Sequence, residues 1–132
     1  GTAFSIHLVD PRPEWLESRE LPSGLHLHGG PWQEFVAKAE WSERVFAIVM
    51  THSHDLDLDL IRDLAPRATA YLGLIGSRTK WARFQSLLKA DDLVPARLER
   101  VRCPIGLDLG PGKAPQEVAI AVAAQVLKVL NK

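Results

Sequence analysis

The stretch Thr69-Ala-Tyr-Leu-Gly-Leu-Ile-Gly-Ser-Arg-Thr-Lys80 decides the fold. Its apolar residues predict a buried strand that runs to Ile75, and Gly76-Ser77 predicts a turn whose serine caps a following helix. A strand, a glycine turn and a helix start in this order are typical of the crossover units of a parallel sheet. This stretch therefore predicts an α/β protein.

The same alternation of strands and helices extends over the rest of the chain. Further strands are predicted at Phe4–Val9, Leu25–His28, Val45–Met50 and Val101–Ile105. Helices are predicted at Pro31–Glu40, at Asp55–Leu64, after Ser77 to about Ala90, and from Pro115 to Leu130. We expect one Rossmann-like domain over residues 1–132, with three layers and a mostly parallel sheet.

Composition limits the function classes. The chain has 132 residues, and 16 basic side chains balance 16 acidic ones, so no overall charge favours nucleic acid or an anionic membrane. No apolar run reaches the roughly 18 residues that predict a membrane span. Cys103 is the one cysteine and cannot form an intrachain disulfide, which fits a reducing cytoplasm.

The segment Thr51-His-Ser-His-Asp55 follows the apolar strand Val45–Met50 directly. It is similar to the T-H-x-H-x-D-H metal box of metallo-β-lactamase-like hydrolases, but Leu56 and Asp57 occupy its last two positions. No histidine follows His54, so we expect no tightly bound zinc at this histidine pair. In a second interpretation, Asp55 caps a helix, and Asp57 and Asp59 form its acidic, solvated first turn.

The turn after Ile75 predicts an anion site built on backbone N–H groups at a helix start. Gly73, Gly76 and Ser77 form the turn, and Arg78 and Lys80 add positive charge. Cations in a first helical turn oppose the helix dipole, and a bound anion would reverse that penalty. Replacing both cations by alanine is expected to weaken anion binding and leave the fold intact. In the alternative interpretation, both side chains are simply solvated.

Three further features of the sequence are Asp10 with its neighbour Arg12, His7, and the loop Gly106–Ala114. Asp10 ends the first strand, where dinucleotide-binding folds place a ribose-binding carboxylate, and Arg12 beside it could meet a phosphate. The G-x-G-x-x-G turn of such folds should lie about 20 residues before this carboxylate, but only nine residues precede Asp10, and none of them makes that motif. His7 is expected to pack in the core. The loop Gly106–Ala114, in which Lys113 lies beside the start of the last helix, is either a tight crossover or another wall of a site.

Parallel strands bring their carboxyl ends to one edge of the sheet. Thr51–His54, Gly73–Lys80 and Asp10–Arg12 are therefore expected to share that edge.

Four motifs, in order and spacing, resemble one family, the XdhC/CoxI xanthine dehydrogenase accessory proteins. They are V-D-P-R at Val9–Arg12, M-T-H-S-H-D at Met50–Asp55, Y-L-G-L-I-G-S-R-T-K at Tyr71–Lys80 and C-P-I-G-L-D-L-G at Cys103–Gly110. The likeness is to the family's C-terminal Rossmann-like domain. The first strand and glycine turn of that domain are not in this sequence, so a fragment of a longer accessory protein is expected.

The resemblance implies a cofactor-insertion factor rather than an enzyme. Such proteins hold the molybdenum cofactor, help to insert it into xanthine dehydrogenase or a related molybdenum hydroxylase, act as dimers and contact a sulfurase. The pterin phosphate would then lie at Gly76, Ser77, Arg78 and Lys80, with Thr51, His52 and His54 lining the same cleft. The alternatives are an NAD(P)-dependent oxidoreductase domain and, with fewer matching residues, a metal-dependent hydrolase.

Overall fold

The computed structural model of the chain describes residues 5–10, 24–91, 95–105 and 115–130, and the side chains of the last range from residue 120 onward. The chain divides into two compact units, residues 1–40 and residues 41–132. Arg12, the loop Gly106–Ala114 and Lys113 lie outside the described residues, so the predictions made for them stay predictions.

The first unit contains two parallel strands and a short helix. β1 (Ile6–Val9) pairs in register with β2 (Leu25–His28), so that Ile6 lies beside Leu25 and Val9 beside His28. The turn after β2 contains Gly30 at a φ of 86°, and α1 (Trp32–Lys38) follows it.

The second unit is a three-stranded parallel sheet with helical crossovers. Its strands are β3 (Phe46–Val49), β4 (Tyr71–Leu74) and β5 (Val101–Arg102), in the spatial order β3-β4-β5. Its helices are α2 (His54–Leu64), α3 (Arg78–Ala90), α4 (Pro95–Leu98) and α5 (Pro115–Leu130).

β4 is the centre of this sheet, and all four of its residues are buried. Tyr71 packs with Ile105 and with Val122 of α5, which covers that face of the sheet. Because side chains alternate along a strand, Leu72 and Leu74 point to the opposite face. For parallel strands in the order β3-β4-β5, the right-handed crossover rule predicts that α2 and α3 lie on one side of the sheet. Both helices bury apolar side chains. These are Ile61, Leu64, Phe84 and Leu88.

The predicted parallel α/β, Rossmann-like fold is confirmed by these elements. β2 has the predicted bounds, whereas β3, β4 and β5 are shorter than the segments that predicted them. β5, for example, stops at Arg102 although the run continues to Ile105, because Pro104 has no N–H to donate to a ladder. α4 was not anticipated. Among the described residues, β1 and β3 belong to different sheets.

None of the helices in the described ranges is both long enough and apolar enough to cross a membrane.

Candidate functional site

A cleft of about 320 Å³ opens beyond the carboxyl ends of β3 and β4. Its lining residues are Thr51, His52, His54, Asp57, Ile75, Gly76, Ser77 and Lys80. The parallel register brings Val49 beside Leu74, so the loops that follow the two strands leave the sheet at the same level. Two of the three strand-end segments expected to converge therefore do so.

The loop after β3 turns into α2 through a serine cap. Ser53 Oγ accepts a hydrogen bond from the backbone N–H of Leu56 at 3.3 Å. The predicted helix is present, but its cap is Ser53 and not Asp55, which is exposed in the first turn. The serine hydroxyl, two residues nearer the strand, is in the extended conformation that an N-cap requires.

The loop after β4 turns into α3 in the same way. Ser77 Oγ accepts a hydrogen bond from the backbone N–H of Lys80 at 3.1 Å, which confirms the predicted cap. Two helices of 11 and 13 residues therefore begin at one cleft. Since each helix N-terminus is equivalent to roughly half a positive charge, the cleft is attractive to an anion.

Asp57 lines the cleft, and the structure corrects the prediction that its side chain is solvated. It is only 1% exposed, and its Oδ1 accepts hydrogen bonds from the Thr51 N–H at 3.0 Å and from Thr51 Oγ1 at 2.7 Å. The interpretation of Asp57 as part of a solvated acidic turn is wrong. The missed signal was its spacing, because Asp57, Ile61 and Leu64 lie on one buried helix stripe.

Asp59 is exposed, as that interpretation expected, and pairs with Arg62 at 2.8 Å on the surface.

Lys80 completes a buried ion pair across the cleft. Its Nζ donates to Asp57 Oδ2 at 2.7 Å and to the Ile75 carbonyl at 2.8 Å, and its side chain is 8% exposed. Removing one partner of a buried pair costs about 3–5 kcal/mol. We therefore expect Lys80→Ala to destabilise the fold, unlike the earlier expectation for both cations, whereas the expectation that Arg78→Ala spares the fold stays a prediction.

The two glycines of the predicted anion turn have different roles. Gly76 has a φ of +149° and lines the cleft beneath the Lys80 side chain. Gly73 lies inside β4 and away from the cleft lining, where a Cβ would meet Ile105 Cδ1 at 2.6 Å. The structure therefore gives Gly73 a packing role.

Arg78 is not among the residues that line the cleft, and Asp10 belongs to the other unit. Arg78 is exposed in the first turn of α3. Asp10 follows β1 in the first unit, where its N–H donates to the His28 carbonyl at 3.1 Å.

Cys103 lies beside the turn after β4 and is half-buried. Its Sγ is 3.8 Å from the carbonyl oxygens of both Gly76 and Ser77. Burial raises the pKa of the Cys103 thiol to about 11, while Lys80 lowers this pKa and Asp57 raises it. The thiol is therefore protonated at neutral pH and responds to the charges of the cleft.

A separate cluster in the first unit contains three of the five histidines. His7 Nδ1 lies 2.8 Å from His28 Nε2, and its ring stacks on that of His26 with centroids 4.8 Å apart. The His7 side chain is exposed, so the expectation of a core histidine is wrong. Register explains the cluster, because His7 pairs with His26 and His28 follows two residues later on the same face.

No set of three His, Cys, Asp or Glu side chains in the described ranges is arranged to hold a metal ion.

Parallel strands, helical crossovers and a cleft between two helix N-termini at the strand ends define a Rossmann-type domain. The model of one family, the XdhC Rossmann domain, matches residues 1–126. The chain belongs to that family.

Two curated relatives and one solved structure are similar to this chain. An uncharacterized protein, YqeB of Escherichia coli K12, is 29% identical over 97% of the chain and 23% of its own length. A probable xanthine dehydrogenase subunit from Bacillus subtilis 168 is 26% identical over 99% of the chain and 37% of its own length. The chain thus spans about a quarter to a third of these relatives.

The solved structure is a crystal structure of a xanthine dehydrogenase from Bacillus halodurans. It matches with a TM-score of 0.77 at 22% identity, over 96% of this chain and 35% of that one. This likeness shows the fold.

Proposed function

We propose that this chain is the Rossmann-type domain of an accessory protein that binds the molybdenum cofactor and assists its insertion into xanthine dehydrogenase or a related molybdenum hydroxylase. Membership of the XdhC Rossmann domain family supports the accessory role. The name of the Bacillus subtilis relative supports the connection with xanthine dehydrogenase. On this proposal the protein works in the cytoplasm as a homodimer, contacts a sulfurase and the target enzyme, and is not itself an enzyme.

The observation that carries the proposal is the meeting of two capped helix starts at one cleft. In α3 the first intrahelical bond joins the Trp81 N–H to the Ser77 carbonyl, so the N–H groups of Arg78 and Thr79 have no acceptor inside the helix. Such groups bind phosphate. The pterin of the molybdenum cofactor ends in a phosphate, and a cleft of about 320 Å³ falls within the usual range for small ligands.

The other lining residues fit a polar ring system next to that phosphate. Thr51, His52 and His54 line the opposite wall of the cleft and offer hydroxyl and imidazole groups. The cofactor would supply the redox chemistry of the target enzyme. The residues of this chain would bind the phosphate, orient the pterin and hold it until transfer.

The second candidate is binding of NAD(P). It is favoured by the position of Asp10 directly after β1, where a ribose-binding carboxylate lies in dinucleotide-binding folds. If this candidate is right, Asp10→Ala weakens NAD(H) binding and leaves molybdenum-cofactor binding unchanged.

A binding titration separates the two candidates. The full-length protein is titrated with molybdenum cofactor, NAD(H) and NADP(H), as wild type and as Arg78→Ala. Removing the cation at the helix start should weaken cofactor binding several-fold. Arg83→Ala is the matched control, because Arg83 is also exposed on the same helix but lies beyond the first turn. Nucleotide binding that is tighter than cofactor binding would replace the first proposal by the second.

A further inference from the structure

The charges of the cleft cancel within its own lining. Asp57 and Lys80 contribute opposite charges 2.7 Å apart, and the remaining lining side chains are neutral when His52 and His54 are unprotonated. Both members are more than nine-tenths buried, and charges in such surroundings act strongly on their neighbours. Without Asp57, the ammonium of Lys80 would be the dominant charge in the cleft.

The geometry fixes the pair in place. Thr51 presents its N–H and its hydroxyl to one oxygen of Asp57, while Lys80 binds the other. Lys80 is also bonded to the Ile75 carbonyl, and its aliphatic stem crosses Gly76. An incoming anion would have to break these contacts to draw the ammonium away from the carboxylate.

We propose that Asp57 determines the specificity of the cleft by neutralising Lys80, so that free inorganic anions are not held there. An anion without further contacts then meets only helix N-termini and a serine hydroxyl. A ligand that carries a phosphate on a larger polar body gains contacts along the rest of the cleft and is selected over inorganic phosphate. The inference rests on the proposed phosphate site.

The test compares the affinity of inorganic phosphate for four forms of the chain. They are the wild type, Asp57→Asn, Lys80→Met and the double variant Asp57→Asn/Lys80→Met. Asparagine keeps the size of the side chain and its Oδ1 acceptor while it removes the charge. We expect Asp57→Asn to bind phosphate at least tenfold more tightly than the wild type, and Lys80→Met to bind it more weakly. The double variant, in which the cleft is again neutral, should return to within about threefold of the wild type.

Asp59→Asn is the matched control. It removes the same charge from the same helix, but at a side chain that is 58% exposed, and should change phosphate affinity less than twofold. If Asp57→Asn is folded and binds phosphate no more tightly than the wild type, the proposal is overturned. If Asp57→Asn does not fold, the double variant Asp57→Asn/Lys80→Met tests the proposal. Phosphate binding tenfold weaker in this double variant than in the wild type would overturn it, because Lys80 would then attract anions even when Asp57 is present.

Cys103 reports the charge change without any ligand. Loss of Asp57 should speed alkylation of this thiol at fixed pH, and loss of Lys80 should slow it, because the two charges act on its pKa in opposite directions. The comparison needs no molybdenum cofactor. Failure of the wild type to bind the cofactor would reject the proposed function alone, whereas an unchanged phosphate affinity in folded Asp57→Asn would reject the role of Asp57 alone.

Discussion

Gly76 leaves the space that the side chain of Lys80 occupies. A Cβ at position 76 would lie 2.5 Å from Lys80 Cδ, closer than such atoms approach, and 3.3 Å from Lys80 Nζ, which is a tight contact. The same glycine has a φ of +149°, which side-chain-bearing residues rarely adopt. The buried ion pair with Asp57 therefore depends on the absence of a side chain at this turn.

Gly76→Ala should destabilise the second unit and displace Lys80 from Asp57. Backbone strain alone costs about 1–3 kcal/mol, and the contact with Lys80 adds to it. Urea denaturation measures the loss. Gly30→Ala is the control, because Gly30 has a φ of +86° with no atom within 4 Å of an added Cβ, so it reports strain alone. Equal losses in the two variants would show that Lys80 moves aside freely.

Gly73→Ala should reduce stability without changing ligand binding. The added Cβ would meet Ile105 Cδ1 at 2.6 Å and Tyr71 Cε1 at 2.7 Å inside the core. Overpacking of this kind costs about 1–3 kcal/mol. Ile105→Val removes the Cδ1 atom and should restore part of the loss in the double variant. A Gly73→Ala protein that has normal stability but no longer binds the molybdenum cofactor would instead show that Gly73 belongs to the binding site.

Cys103 should be alkylated slowly at neutral pH. Burial raises its pKa from 9.0 to about 11, so its thiolate fraction at pH 8 is about a hundredfold smaller than that of an unperturbed thiol. Because the folded pKa is the higher one, the stability linked to this group is fully present below pH 9.0 and is lost as the pH rises through about 11. Iodoacetamide labelling across this range measures the pKa. A midpoint at 9.0 in the folded protein would contradict the burial.

His7 should titrate below its ordinary pKa. Desolvation lowers the pKa of His7 from 6.5, and the neighbouring His26 and His28 lower it further. The stability linked to His7 is therefore present above pH 6.5 and is lost as the pH falls through the folded pKa. The Cε1 proton resonance of His7 measures the shift.

The control for this titration is a variant pair. His28→Ala should move the His7 midpoint back towards 6.5, since one source of the lowered pKa is gone. His54→Ala should leave the midpoint unchanged, because His54 is not among the groups that lower the pKa of His7. A His7 midpoint at or above 6.5 in the wild type would show that the three rings do not associate as described.

Local signals in the sequence predicted most of the fold. The apolar runs around Ala47 and Leu72 gave strands, and Ser77 gave a helix cap, because these features depend on residues that are neighbours in the chain. They also placed Thr51, His52 and Ser77 at one sheet edge, since a parallel sheet brings such ends together.

Features that depend on distant residues could not be predicted in this way. Helical spacing places Asp57 on the buried stripe of α2, but its ion-pair partner is a lysine 23 residues later, which no local pattern identifies. The sequence around Gly73 predicts a ligand-binding turn. Its packing role depends on the contact with Ile105, which is distant in the sequence. The exposure of His7 follows from the pairing of β1 with β2, which its own apolar strand does not reveal.

The connections on either side of the cleft are short. Residues 50–53 join β3 to α2, and residues 75–77 join β4 to α3. Each connection also contains the serine that caps the helix it leads into. An inserted or deleted residue in either one would turn that helix start by about 100° and move its first N–H groups away from the cleft. These two connections therefore tolerate many substitutions better than they tolerate a change in length. An added or missing residue would disrupt the site while the sheet beneath it remained.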